Sequence, residues 1–233
     1  LTEFYKGKRL LPKEFTSENR IKEIQSMYVP FWLFDAHVNV DANFNAELTN
    51  TRETTNETVT EISHYRCERS GEMTFHGIPV DASKRMDDSF MDSIEPFDYK
   101  DLVPFSAAYF TGHLADKYDV DVKESLPRAD SRLAESASWV LSTSVKNYTN
   151  VTPEGAPLIH KEEGNVRYAM LPVWILTTNY KGKPYTFMMN GQTGKVVSSS
   201  LPRDNFKERY YPLVPAVLVF LITCWIGWLI LDW

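Results

Sequence analysis

Residues 212–231 read PLVPAVLVFLITCWIGWLIL, twenty positions without one charged side chain. A helix of that length rises about 30 Å, the hydrocarbon thickness of a bilayer, whereas a helix on a water-soluble domain carries a polar stripe. Tyr210 and Tyr211 stand at one end of the run, and Trp225, Trp228 and Trp233 gather toward the other, the placement of interfacial aromatic belts. The expectation is a C-terminal transmembrane helix over 210–232, a cell-membrane location, and the lipid bilayer as a partner. Arg203, Lys207 and Arg209 precede the run and only Asp232 follows it, which predicts a cytoplasmic position for the preceding domain. The N-x-T triplets at Asn56, Asn147 and Asn150 are read as chance products of Thr-rich loops.

The rest of the chain is ordinary enough to fold. With 233 residues and 43% hydrophobic content it can bury a proper core. A net charge of −6 and a pI near 5.4 argue against nucleic acid as a partner, because neutralising phosphates needs a basic surface. The two cysteines, Cys67 and Cys224, supply neither a disulfide framework nor the paired spacing of a zinc site. Beginning at Leu1 rather than Met, the chain reads as a piece of something longer.

One stretch imitates a nucleotide-binding loop. In MMNGQTGKVV, residues 188–197, two glycines precede a lysine, but a P-loop needs four residues between its glycines and a Ser or Thr after the lysine. Here two residues intervene, and Val196 occupies the place of the Mg²⁺-binding hydroxyl. Asn190, Gly191 and Gly194 instead predict a hairpin turn between two β-forming runs, YTFMM and VVSSS.

Two segments resemble each other. YVPFWLFDAHVN from Tyr28 and MLPVWILTTNYK from Met170 share a proline, one apolar residue, a tryptophan and two more apolar residues. Pro30 and Pro172 are expected at strand entrances, with Trp32 and Trp174 as matching core anchors. A helix over FTSENRIKEIQSM and strands near 29–43, 57–67 and 72–78 form the first copy, residues 1–85. A helix over PRADSRLAESASWVLSTSVKN, with Leu133, Ala137, Val140, Leu141 and Val145 on one stripe, and strands at 168–179, 183–190 and 195–200 form the second, residues 122–205. Residues 86–121 bridge them, with helical spacing from Phe105 to Lys117. The predicted class is α+β: two repeated helix-plus-antiparallel-meander units, a helical bridge and the terminal span.

Chemistry is harder to locate. None of the five histidines falls in an H-x-x-x-H pattern, and only His113 lies one helical turn from a carboxylate, Asp116. Asp87 and Asp88, with Asp116, Asp119 and Asp121, form two acidic clusters. Acid/base catalysis would need some of these to converge in one cleft, so Asp87, Asp88, His113, Asp116 and Asp119 are the cleft candidates. No catalytic residue, metal ligand or cofactor contact is assigned.

YVPFWLFD, GIPVDASKRMDDSFMDSIEPFDY, YFTGHLADKYDVDV, YAMLPVWILTTNYKGKPYTFMMNGQTGKVV and the terminal run together resemble a family of membrane proteins from Gram-positive bacteria. Its members begin with a transcription-factor-IIB-type zinc ribbon and are often likened by name to the primosomal helicase. The resemblance implies that any zinc-binding ribbon lies upstream of Leu1, and that the role is that of a scaffold or sensor in membrane stress. The expected function is therefore a membrane-anchored, non-enzymatic scaffold that binds protein partners through sheet edges and the polar connection NAELTNTRETTNETV. The alternatives are an enzyme or enzyme accessory with a carboxylate-lined cleft, and a replication-associated nucleic-acid binder acting through the ribbon.

Overall fold

The computed structural model describes residues 2–17, 21–54, 57–198, 200–210, 213, 215 and 219–223. Period-two alternation governs it. From Ala36 to Ala46 every even residue is buried, while Asn39, Asp41 and Asn45 face water. Only an extended strand places alternate residues on one face in this way.

In chain order the elements are α1 (Thr2–Tyr5), α2 (Lys13–Ser17), β1 (Ile21–Glu53), β2 (Thr58–Asp81), α3 (Asp88–Ile94), β3 (Leu114–Ala115), α4 (Val122–Thr143), β4 (Asn150–Pro153), β5 (Leu158–Tyr180), β6 (Lys183–Asn190), β7 (Val196–Ser198) and α5 (Asn205–Tyr210). Strands make up 46% of the described residues, so the protein is mostly β and antiparallel rather than an α+β pair of repeats.

The chain divides into two compact units. One comprises Leu1–Ser26, Asp92–Pro96 and Val173–Trp233; the other comprises Met27–Met91 and Phe97–Pro172. The predicted helix-plus-meander copies do not form, because each helix covers the strands expected to belong to the other. In the first unit, Phe15 of α2 packs with Leu11, Leu176 and Phe187, alongside the β5–β6–β7 meander. In the second, α4 lies on the β1–β2 hairpin. Ser125, Ala129, Leu133, Ala137 and Leu141 recur every fourth residue along its buried face, and the last three join Val38, Val40, Phe44 and Cys67 in one core. Burying each leucine contributes about 2 kcal/mol.

The predicted helix over FTSENRIKEIQSM is cut short for the same reason. α2 ends at Ser17, and β1 has begun by Ile21. Strand pairing outweighs the local helical spacing: Met27 and Tyr28 pair with Leu114 and Ala115 of β3, and β1 runs on into its ladder with β2, from Phe31 with Asp81 to Glu53 with Thr58. The polar connection NAELTNTRETTNETV is mostly strand. Its described turn closes where Thr54 donates from both its amide and its hydroxyl to the Glu57 carbonyl, each at 2.8 Å.

The break expected between residues 67 and 72 is absent, and β2 continues through it. A Cβ on Gly71 would stand 3.2 Å from Leu141 Cδ2, so this glycine gives room to α4 rather than a turn to the backbone. The irregularity falls at Gly77 instead. Phe34 pairs with Ile78 and Ala36 with Phe75, so His76 and Gly77 oppose Asp35 alone, and Gly77 takes a left-handed φ of +72°. That is a β-bulge with glycine in its strained position.

Pro30 and Pro172 lie inside β1 and β5 rather than at their entrances. The bridge holds two short 3₁₀ turns, Tyr99–Asp101 and Ala107–Phe110, instead of the helix predicted from Phe105 to Lys117. Among the described residues no helix is long and apolar enough to cross a membrane. Of the expected span 210–232, residues 211, 212, 214, 216–218 and 224–232 lie outside the described residues, and α5 ends at Tyr210. Among the described residues, the expected cell-membrane location thus finds no spanning helix to rest on.

Candidate functional site

The acidic candidates all fall around the segment that follows β2. Asp116 is buried, its side chain 6% exposed; its carboxylate accepts from Ser83 Oγ at 2.5 Å, from the Lys117 amide at 3.0 Å and from Arg85 Nη1 at 3.4 Å. Asp119 accepts from the Lys84 amide at 2.7 Å, and its own amide donates to the Ala82 carbonyl. Asp87 starts α3: it accepts from the Ser89 amide at 2.9 Å, from the Ser89 hydroxyl and from the Phe90 amide, and the Ser89 hydroxyl holds its carboxyl below the ordinary value of 3.8. Asp88 pairs at 3.0 Å with Arg128, whose guanidinium also holds the buried Asp81 at 2.5 Å.

Asp81, Asp88, Asp116 and Asp119 therefore tie residues 81–90 to the body of their unit, while Asp87 caps α3 locally. The buried pair, Asp81 and Asp116, are satisfied by guanidinium, hydroxyl and amide groups of the chain, as buried acidic groups must be. His113 stands apart, edge-on to Tyr28 at 5.7 Å between ring centres, and no helical turn joins it to Asp116. Among the described residues no group of three or more His, Cys, Asp or Glu is placed to hold a metal.

The loop that imitates a phosphate binder is held by Asn190. This residue is fully buried. Its Oδ1 accepts from the amides of Gln192 and Thr193 at 2.8 and 3.0 Å, while Nδ2 donates to the carbonyls of Ile94 and Pro96, both at 3.0 Å. The left-handed position is Gly194, with φ +71°. Lys195, the lysine of the false motif, donates through Nζ to the Glu95 carbonyl at 2.6 Å. The two tryptophans have unlike surroundings. Trp32 donates from Nε1 to the Val120 carbonyl at 2.9 Å and meets the rings of Tyr118 and Tyr168, whereas Trp174 packs beside Leu176 and Phe187. Burial pushes the Tyr168 hydroxyl above its usual pKa, helped by Tyr118 and Asp116.

The sequence reading missed a cavity of about 310 Å³ in the second unit, between the first half of α4 and the strands beneath it. Phe34, Ile78, Val122, Leu126, Leu133 and Val166 make its walls apolar. Two devices shape it. The Gly77 bulge turns Asp35 so that its Oδ1 accepts from the Gly77 amide at 2.8 Å and from Arg167 Nη2 at 3.2 Å. Gly164 lets β5 approach β1 closely, since a Cβ there would stand 2.4 Å from the Asp35 carbonyl oxygen. Lys123 and Lys161 border the cavity, and Lys161 Nζ lies 2.6 Å from Asp130. A single glycine in a β-type run and a G-I-P triplet were the only sequence signals, and both read as ordinary punctuation.

The chain is similar to the uncharacterized protein YdjG of Bacillus subtilis (strain 168), 37% identical over 188 residues that cover 81% of this chain and 55% of that protein. It thus spans about half the length of the curated relative it matches. That relative's description mentions neither a zinc ribbon nor a helicase. No protein-family profile matches the chain, and no solved structure does.

Proposed function

We propose that this chain is a non-enzymatic protein-binding module, a scaffold whose β2 takes an extended segment of a protein partner along its outer edge. The observation that carries the reading is the length of that edge. β2 runs for 24 residues and, among the described residues, ladders with β1 alone. α4 lies on its face from Cys67 to Ile78, and Arg132 of α4 donates to the Pro79 carbonyl at 2.7 Å. Over residues 58–76 a row of backbone donors and acceptors faces outward, a template for strand addition. Val59, Ile62 and Tyr65 are about half exposed on the same strand and offer apolar contacts for alternate side chains of the added segment. The engaged state of Asp87, Asp88, Asp116 and Asp119 favours this reading over a carboxylate-lined catalytic cleft.

Residue-resolved hydrogen exchange on the free protein and on the complex that co-purifies with it tests the proposal. Alternate amides of residues 58–76 are expected to exchange fast in the free protein and to become protected in the complex. Outer-edge amides that are already slow in the free protein, or that stay fast in the complex, would overturn it.

A further inference from the structure

We propose that the cavity beneath α4 binds a single-chain amphiphile with an anionic head, of the medium-chain fatty-acid class. The volume of about 310 Å³ lies at the small end of the ~300–1,000 Å³ typical of ligand pockets, and suits one hydrocarbon tail rather than a ring system or a two-tailed lipid. Its inner walls, Phe34, Ile78, Leu126 and Leu133, offer a tail no polar partner. The polar groups are confined to charged side chains around it, and their balance selects the head.

Two aspartates and three cations border or adjoin the space. Asp35 is matched by Arg167 and by the Gly77 amide, and Asp130 is matched by Lys161. Lys123, exposed on the first turn of α4, has no ion-pair or hydrogen-bond partner among the described residues. The unspent charge at the cavity is therefore positive. A carboxylate head held by Lys123 and sharing Lys161 with Asp130 would pair that charge while its tail displaced water from apolar walls. The Gly77 bulge and Gly164 supply the second argument. Gly164 lines the space, the Gly77 bulge holds Asp35, which also lines it, and bulges recur where a strand must re-aim a side chain beside a site.

The test uses the 233-residue chain with dodecanoate as probe, and with dodecanol and dodecyltrimethylammonium as neutral and cationic controls. Calorimetry is expected to show saturable one-to-one binding of dodecanoate, at least about tenfold tighter than either control. In methyl spectra the probe should shift Ile78, Leu126 and Leu133. Ala129→Phe, which fills the cavity, should abolish both signals, and Lys123→Glu should weaken dodecanoate about tenfold while leaving dodecanol unchanged. Should Ala129→Phe fail to fold, the methyl shifts in the unaltered protein decide the matter. The proposal fails if dodecanoate shifts methyls elsewhere but not these, if folded Ala129→Phe binds as the original does, or if the cationic amphiphile binds as tightly.

Discussion

The two units solve the same problem with different materials. The first covers its meander with short helical turns whose aromatic rings meet edge to face: Phe4 with Phe187 at 5.9 Å, Phe15 with Tyr180 at 5.3 Å and Phe15 with Tyr185 at 5.4 Å. The second uses one 22-residue helix with small residues at alternate buried positions, Ala129 and Ala137 beside Leu133 and Leu141. Rings fill space from few positions and leave little of it empty. A helix with alanines at its contact face approaches the strands closely along one half and, where the strands bulge away, leaves room. The apolar cavity lies in the unit built by the second method, whereas the space beside Tyr180 and Tyr185 in the first is bordered by Glu14, Lys181, Lys183 and Arg203.

The largest effects should separate the two cores. Phe187→Ala and Phe44→Ala each remove a fully buried ring and should each cost about 4 kcal/mol in denaturant unfolding. Hydrogen exchange then distinguishes them. Phe187→Ala should loosen α1, α2, β6 and β7 first, and Phe44→Ala should loosen α4 and the β1–β2 hairpin. Identical patterns from both variants would break the comparison.

Two glycines sharpen it at a smaller scale. Gly164→Ala sets a Cβ against the Asp35 backbone and should cost about 3 kcal/mol, since a carbonyl in a ladder cannot step aside. Gly71→Ala meets only the ends of Leu141 and Met73, which can turn, and should cost less than about 1 kcal/mol. Equal losses would mean that β5 and β1 do not approach as closely as described. The smallest effect concerns acid. The folded protein lowers the pKa of Asp87, so its contribution is present above the ordinary carboxylate range and is lost as pH falls through the lowered value. Asp87→Asn should therefore lower stability slightly at neutral pH and flatten the acid limb, so that the two proteins converge once the original carboxylate is protonated.

How much of this was legible beforehand varied with how local each feature is. β6 spans the residues that its β-forming run and flanking turns predicted, and the Leu133, Ala137, Leu141 stripe of α4 is plain in the sequence. Both depend on local signals alone. The pairing of helices with strands was misread because similarity between the Tyr28 and Met170 segments suggested two self-contained copies, whereas packing joined α4 to the earlier strands. Gly71 falls in the gap expected between the 57–67 and 72–78 strands, and Gly77 near the end of the second, yet one clears a helix and the other makes a bulge; a glycine does not announce which neighbour it spares. The acidic cluster was recognisable as a group, but whether carboxylates point into a cleft or onto amides is settled only by the fold. The cavity left almost no trace, since it depends on Gly164 meeting Asp35 across 129 positions of sequence.

The central claim is that α4 covers the β1–β2 hairpin, which creates the cavity beneath its first half and leaves the rest of the β2 edge open. A nuclear Overhauser measurement between the Leu141 δ-methyl protons and the Gly71 α-protons tests it most directly. The account predicts a strong cross-peak; its absence, with Leu141 contacting Phe187 or Met188 of β6 instead, would contradict it.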